Sequence, residues 1–244
     1  MDLERCIVGI NLFASKGKYD TAPGKEPVTN MNYCQAIAAA THGNQMKLTL
    51  QTSRCLGAAK ALGLTHEDPK NLHGENWCRI GLYDSLERSR EIRENLDFLK
   101  RDTYGVQISP VEMLTDFPDV LIIVGTPYNM MRISQGYAYH HGFPQHVRLI
   151  GNQAFCNECT ARPITTKDIN FSMLCVGTRH QARWKDYESA VGIPGGMFTS
   201  IVDGIWQTIN IMEDNANKAM IAEKAEQSDL ELKIRYNYNY YMET

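Results

Sequence analysis

The sequence has no apolar run approaching the ~20 residues a membrane-spanning helix needs. It also has no basic excess: 25 Lys and Arg stand against 28 Asp and Glu, for a net charge of -3 and a pI near 6.2. A nucleic-acid binder needs a basic stripe to displace counterions from phosphates, and none is visible. The start, MDLERCIVGI, lacks the basic, apolar and small-residue regions of a signal peptide, so a cytoplasmic protein without membrane or nucleic-acid partners is expected. Missing too are the G-x-x-x-x-G-K-[ST] phosphate loop, the G-x-G-x-x-G fingerprint, the H-E-x-x-H pair and a serine nucleophile elbow. Their absence withdraws most support from ATP, NAD and zincin chemistry.

What is present can bury a substantial core: 244 residues at 43% hydrophobic and 22% charged content suit one large domain or two intimate halves. Seven cysteines, an odd number, lie at positions 6, 34, 55, 78, 156, 159 and 175. In a reducing compartment they read as buried thiols, metal ligands or catalytic groups rather than as a disulfide framework. Free cysteine also packs as a small hydrophobe, which is the plainer meaning of any one of them.

Strand character is expected in CIVGINLF, MKLTL, VLIIV, VRLIG and FSMLC, and helix in CQAIAAATHG, CLGAAKALG, the charged stretch SLERSREIRENLDFLKR and the run from Thr126 to about Gly142. FCNECT reads as a brief helix stopped before Pro163, because the residue preceding proline avoids helical angles. After the loop GIPGG, the stripe Phe198, Ile201, Ile205, Ile209 and Met212 predicts one long helix from Met197 to about Ala225. LELKIRYNYNYY alternates strictly and predicts a terminal strand that pairs within its own sheet or across a homodimer.

Two stretches echo one another. YCQAIAAATHGNQMKLTLQTSRCLG and FCNECTARPITTKDINFSMLCVG both run aromatic, Cys, amide, then about twenty residues, then Cys-x-Gly, and each follows an apolar strand. The expected fold is therefore α/β: two interlocked pseudo-repeated halves, about 4–64 and 117–180, sharing a mixed sheet within a domain of residues 1–228. The long helix packs across them, and 229–244 form the strand or tail.

If a pseudo-twofold relates the halves, Cys34, Cys55, Cys156 and Cys175 converge as four thiolates. Such a set can hold a [4Fe-4S] cluster or, alternatively, Zn²⁺. Gly57 and Gly177 would let backbone N–H groups approach the sulfurs. The lone C-x-x-C pair, Cys156 and Cys159, is a weak signal, since adjacent helical turns also produce it. His140, His141 and His180 are other possible ligands, although paired histidines at a helix end commonly serve its carbonyls. Cys175 could instead be a nucleophile with Arg179 and His180 nearby. Gly125 and Thr126 form a strand-to-helix turn that could equally contact a small anionic ligand.

The order and spacing of YCQAI, RCLGAAKALGL, FPDVLIIVGTP, FCNE, MLCVGTR and VGIPGGM resemble the uncharacterised ArCR family, domain of unknown function 169, from about Cys6 to Ile211. The resemblance implies no established reaction. It implies a habitat in archaea and anaerobic bacteria, where oxygen-sensitive cofactors persist. The leading expectation is a cysteine-ligated metal protein, most simply iron–sulfur, in redox or small-molecule transformation. A non-catalytic metabolite- or partner-binding protein with core cysteines and a cofactor-free thiol enzyme are the alternatives.

Overall fold

The computed structural model describes residues 3–67, 73–208 and 214–227. Six strands form one sheet in the order β2-β3-β1-β4-β6-β5. They are β1 (Val8–Phe13), β2 (Met46–Thr49), β3 (Gly105–Pro110), β4 (Val120–Gly125), β5 (Asn170–Ser172) and β6 (Ser189–Pro194). The first half carries α1 (Lys16–Thr21), α2 (Tyr33–Ala40), α3 (Leu56–Ala61), α4 (Glu75–Arg79) and α5 (Leu86–Glu94). The second carries α6 (Pro127–His141), a π-helix (Ala154–Ala161), α7 (Arg162–Thr166) and α8 (Val176–Ala182), followed after β6 by α9 (Phe198–Gln207) and α10 (Asn215–Glu226).

Exchanging β1 with β4, β2 with β5 and β3 with β6 returns the same strand order. The register agrees: Val8 faces Pro110 as Val120 faces Pro194, and the central pair Gly9 and Leu121 maps onto itself. Both β3 and β6 end on a proline followed by a single 3₁₀ turn, Val111–Met113 and Gly195–Met197.

The ladders are antiparallel, not mixed as the sequence suggested. In each half two strands joined through a helical crossover run parallel, but the third strand returns between them, so the parallel partners never touch. Two isolated bridges, Lys25 with Met46 and Met31 with Ser53, are the parallel pairings among the described residues. The halves also extend beyond the expected 4–64 and 117–180, because each is completed by a later strand, β3 or β6. Both strands are apolar-poor runs: GVQISP has only Val106 and Ile108 in the core, alternating with the buried polar Gln107 and Ser109, and SAVGIP dilutes its apolar residues with glycine, serine and proline.

Alternation holds where one face meets helices: Val8, Ile10 and Leu12 of β1 join Val120, Ile122 and Val124 of β4 in the core beneath α2, α3 and the π-helix. Burying each such side chain is worth ~1.5–3 kcal/mol. On the opposite face Ile123, Val191 and Ile193 pack under α6 and α9. Those two helices cross closely, since a Cβ on Gly204 would lie 2.1 Å from the Gly136 carbonyl oxygen.

Three further expectations are corrected. The helix after GIPGG ends at Gln207, where Thr208 leaves helical angles (φ -107°, ψ 43°), and Asn215–Glu226 is a separate helix. VRLIG is not a strand; its amides turn instead to side chains, Arg148 N–H to Asn170 Oδ1 and Ile150 N–H to Glu158 Oε1. The helix opened by FCNECT runs on through Pro163. The terminal strand expected over 229–244 lies outside the described residues. Among the described residues no helix is long and apolar enough to cross a membrane.

Candidate functional site

Cys55 and Cys175 each precede a short helix in extended backbone, with φ, ψ of -95°, 102° and -105°, 159°. A side chain placed there can fold back onto the first turn. Each Sγ accepts the N–H of the residue three positions on, Ala58 or Thr178, at 3.4 Å. Both thiols thus cap their helices as serine would. A Cβ on Gly57 or Gly177 would stand 3.9 or 4.0 Å from the capping sulfur, an ordinary van der Waals contact, so the cap itself does not require either glycine.

The other two cysteines complete the set by crossing over. Cys34, the second residue of α2, donates its S–H to Gln181 Oε1 on α8 at 3.6 Å, so it sits beside the helix that Cys175 caps. Cys156, in the π-helix, lies next to Gln153, whose amide a Cβ on Gly57 would touch at 3.4 Å. Each half's first cysteine therefore neighbours the other half's Cys-x-Gly helix. Tyr33 and Thr160 join the halves further by a 3.0 Å hydroxyl contact. All four cysteines line one cleft of about 780 Å³.

Burial governs their chemistry. It pushes the Cys34 thiol up to about 11, with Cys55 and Cys175 adding to the rise. It pushes Cys156 well above the ordinary thiol value, helped by Cys55, Cys175 and Cys34. Without a cation these two thiols stay protonated at neutral pH, and a bound metal would reverse that preference. Among the described residues no group of three or more His, Cys, Asp or Glu side chains is arranged to hold a single metal ion.

The π-helix decides which cysteines face the cleft. Its wider winding separates residues three apart, so Cys156 lines the cleft while Cys159 is fully buried against the sheet. There the backbone is tight: a Cβ on Gly192 of β6 would lie 2.1 Å from the Cys159 carbonyl oxygen. Pro163 has no N–H for the Glu158 carbonyl five residues earlier, and Asn170 Nδ2 donates to that carbonyl instead at 2.9 Å. The Glu158 side chain accepts from Ile150 N–H at 2.8 Å, Gly151 N–H at 3.1 Å and the Ser172 hydroxyl, which fixes the loop forming one cleft wall. Burial raises the Glu158 carboxyl above its usual range despite those donors.

A model of the uncharacterised ArCR family, domain of unknown function 169, matches residues 1–204. The chain belongs to that family. An uncharacterised protein of Methanocaldococcus jannaschii is 24% identical over 208 residues, covering 84% of this chain and 88% of the relative. No solved structure matches the chain. The ArCR match spans the whole sheet and all four cleft cysteines and ends before α10.

Not every residue singled out in this ArCR chain reaches the cleft. Arg179 is not in the cleft lining: its guanidinium donates to the carbonyls of Met173, Lys185 and Glu188 at 2.8–2.9 Å and ties α8 to the turn before β6. His180 lines the cleft, but the sulfur of Cys175 is engaged with Thr178. Gly125 and Thr126 lie away from the cleft, and their turn is explained by capping. Thr126 Oγ1 accepts Asn129 N–H, Asn129 Oδ1 accepts Thr126 N–H at 3.0 Å, and any Cβ on Gly125 would collide with Asn129. His140 and His141 bridge α6 to α9 through Asp203 and Ser200.

Sequence reading missed Trp77, Arg54, Arg93, Gln153 and Gln181, all of which line the cleft. Arg54 directly precedes Cys55 and was available as a signal. Arg93 was not, because it sits in a charged helix with the pattern of a solvated surface, yet it is 2% exposed.

Proposed function

We propose that this chain is a cytoplasmic iron–sulfur protein of an anaerobic setting. Cys34, Cys55, Cys156 and Cys175 hold the cluster, which serves redox or transformation of a small molecule in the same cleft. The observation that carries this reading is the meeting of four thiols, two from each half, around one cleft. Backbone N–H groups at 3.4 Å from two of the sulfurs are what tunes cluster thiolates. A single Zn²⁺ fits less well. Zn–S bonds of about 2.3 Å bring tetrahedral sulfurs to ~3.8 Å of one another, whereas a cluster binds each thiolate at its own iron and suits a wider cage. A cofactor-free thiol enzyme centred on Cys175 draws no support from Arg179, whose guanidinium is bound to three backbone carbonyls.

The test is anaerobic purification and reconstitution, with iron and acid-labile sulfide measured per chain and electron paramagnetic resonance of the reduced protein. About four of each are expected, with a paramagnetic signal on reduction. Zinc without iron would favour a structural site, and no metal with one fast-alkylating thiol would favour the nucleophile. No metal together with uniformly slow thiols would favour a binding protein. We further propose a homodimer joined through residues 229–244, whose strict alternation calls for a covered face. Light scattering of a chain ending at 228 should then give half the particle mass, and an unchanged mass refutes it.

A further inference from the structure

The two ends of the sheet are finished differently. β2 is flanked by residues 23–31, whose backbone pairs with its approach: Lys25 N–H donates to the Gln45 carbonyl at 3.1 Å, and the Lys25 carbonyl accepts Lys47 N–H at 2.9 Å. Pro23, Lys25 and Pro27 blunt that flank, as proline and lysine do at natural sheet edges. The corresponding flank of β5, residues 145–150, contains neither residue type. Its alternate residues turn inward onto side chains. His146, Arg148 and Ile150 N–H donate to Asp168 Oδ2, Asn170 Oδ1 and Glu158 Oε1 at 3.2, 2.7 and 2.8 Å. The His146 and Arg148 carbonyls accept Arg162 Nε at 2.6 Å and Asn170 Nδ2 at 3.0 Å. A period of two is extended backbone, so the N–H and C=O groups of Val147 and Leu149 face the other way. Among the described residues none of those outward groups has a partner, and the two side chains are 37% and 44% exposed.

We infer that residues 145–150 form a docking edge for a β-strand, and that the strand is residues 230–240 of this chain. This names the attachment point of the dimer proposed above and rests on the same reading of residues 229–244 as a strand. The two segments are complementary. LELKIRYNYNYY alternates strictly and calls for pairing, while HVRLI offers outward N–H and C=O groups at every second residue. In strand addition the backbone bonds hold the segment and the alternating side chains select it. Leu230, Leu232 and Ile234 share one face of an extended tail, as Val147 and Leu149 share one face of the edge, so pairing covers apolar side chains of both. The β2 end is the poorer dock, because Lys25 already holds its ladder groups and Pro23 and Pro27 have no N–H to offer.

The experiment is residue-resolved hydrogen–deuterium exchange on the full chain and on a chain ending at 228, which keeps the whole sheet and both apolar cores. In the full chain the Val147 and Leu149 amides should exchange at least about tenfold more slowly than in the shortened one. A synthetic peptide of residues 229–244 should restore that protection to the shortened chain, binding saturably below about 1 mM. Val147→Pro and Leu149→Pro remove N–H groups that hold nothing among the described residues. Both variants of the shortened chain should therefore melt near their parent yet bind the peptide at least about tenfold more weakly. A peptide of the same composition with its alternation scrambled should not bind. Equal exchange in the full and shortened chains, undiminished binding to both proline variants, or equal binding of the scrambled peptide overturns the inference. The exchange comparison needs no substitution, so it decides the matter even where a proline variant fails to fold. Particle mass is scored separately. Protection at Val147 and Leu149 without a change of mass sinks only the dimer, because the tail then pairs with its own chain, whereas a halved mass without protection sinks only this inference.

Discussion

Cys55 and Cys175 occupy equivalent places, each accepting a backbone N–H at 3.4 Å from the residue three positions on. Serine keeps that acceptor, while alanine removes it. Cys55→Ser and Cys175→Ser should therefore lose most of their iron after anaerobic reconstitution while the iron-free proteins melt close to the parent. The alanine variants should lose iron and, in addition, about 1 kcal/mol of stability from the missing cap. Full iron retention in both serine variants would remove these two thiols from the site.

Acid should loosen the structure behind Cys175 through Glu188. Arg5 Nε donates to Glu188 Oε1 at 2.5 Å, and Lys185 N–H donates to Oε2 at 2.7 Å. Arg5 also lies 4.8 Å from the ring centroid of Trp184, whose Nε1 donates to Thr178 Oγ1 at 3.0 Å. Burial opposes ionisation of Glu188, but the bond from Arg5, the Lys185 N–H and the two nearby positive charges outweigh it and hold the carboxyl below its usual 4.5. A depressed folded-state value means that protons bind the unfolded chain more readily. The stabilisation is thus present above pH 4.5 and fades as pH falls through the lower folded-state value. Thermal melts should show a steeper acid loss for the parent than for Glu188→Gln. Parallel curves would refute the linkage.

Gly192→Ala tests whether the sheet positions the π-helix. The new methyl would lie 2.1 Å from the Cys159 carbonyl oxygen, a backbone atom held on both sides, so relief requires moving the helix that carries Cys156. Overpacking of this kind costs about 1–3 kcal/mol. Iron retention should fall although Gly192 does not line the cleft. A variant with unchanged denaturation midpoint and unchanged iron would mean that the contact relaxes without moving Cys156.

The legible parts of this protein were those with local causes. A cysteine before a glycine-containing helical start is a capping pattern, and its repetition indicated the four cleft thiols before any geometry was known. β1 and β4 carry enough branched apolar residues to be read as buried strands. β3 and β6 do not, because GVQISP and SAVGIP hold few apolar residues among glycine, proline and small polar ones, and burial places Gln107 inside. The connection carrying α4 and α5 was also opaque: Arg93 and Trp77 reach the cleft lining through tertiary packing, which no local pattern announces. Pro163 misled for a physical reason, since the bond it lacks is supplied by a side chain seven residues further along the chain.

That side chain is Asn170, and it gives the sharpest stability test. It is fully buried, its Oδ1 accepts Arg148 N–H at 2.7 Å, and its Nδ2 lies 2.9 Å from the Glu158 carbonyl and 3.0 Å from that of Arg148. Proline inside a helix normally breaks it because one carbonyl loses its donor and the ring crowds the preceding turn. Here π winding relocates the orphaned carbonyl to Glu158, where Asn170 reaches it. Asn170→Ala leaves the buried Glu158 carbonyl without this donor, at ~1–3 kcal/mol, and removes the acceptor of a part-buried Arg148 N–H that water can reach, so a loss of about 1–3 kcal/mol is expected in chemical denaturation. Asn170→Asp should not rescue it, because a carboxylate keeps the acceptor for Arg148 N–H but turns an oxygen toward the Glu158 carbonyl. If Asn170→Ala instead costs less than about 0.5 kcal/mol, the range of ordinary surface substitutions, the carbonyl has another donor. The continuity of the helix through Pro163 would then need a different cause.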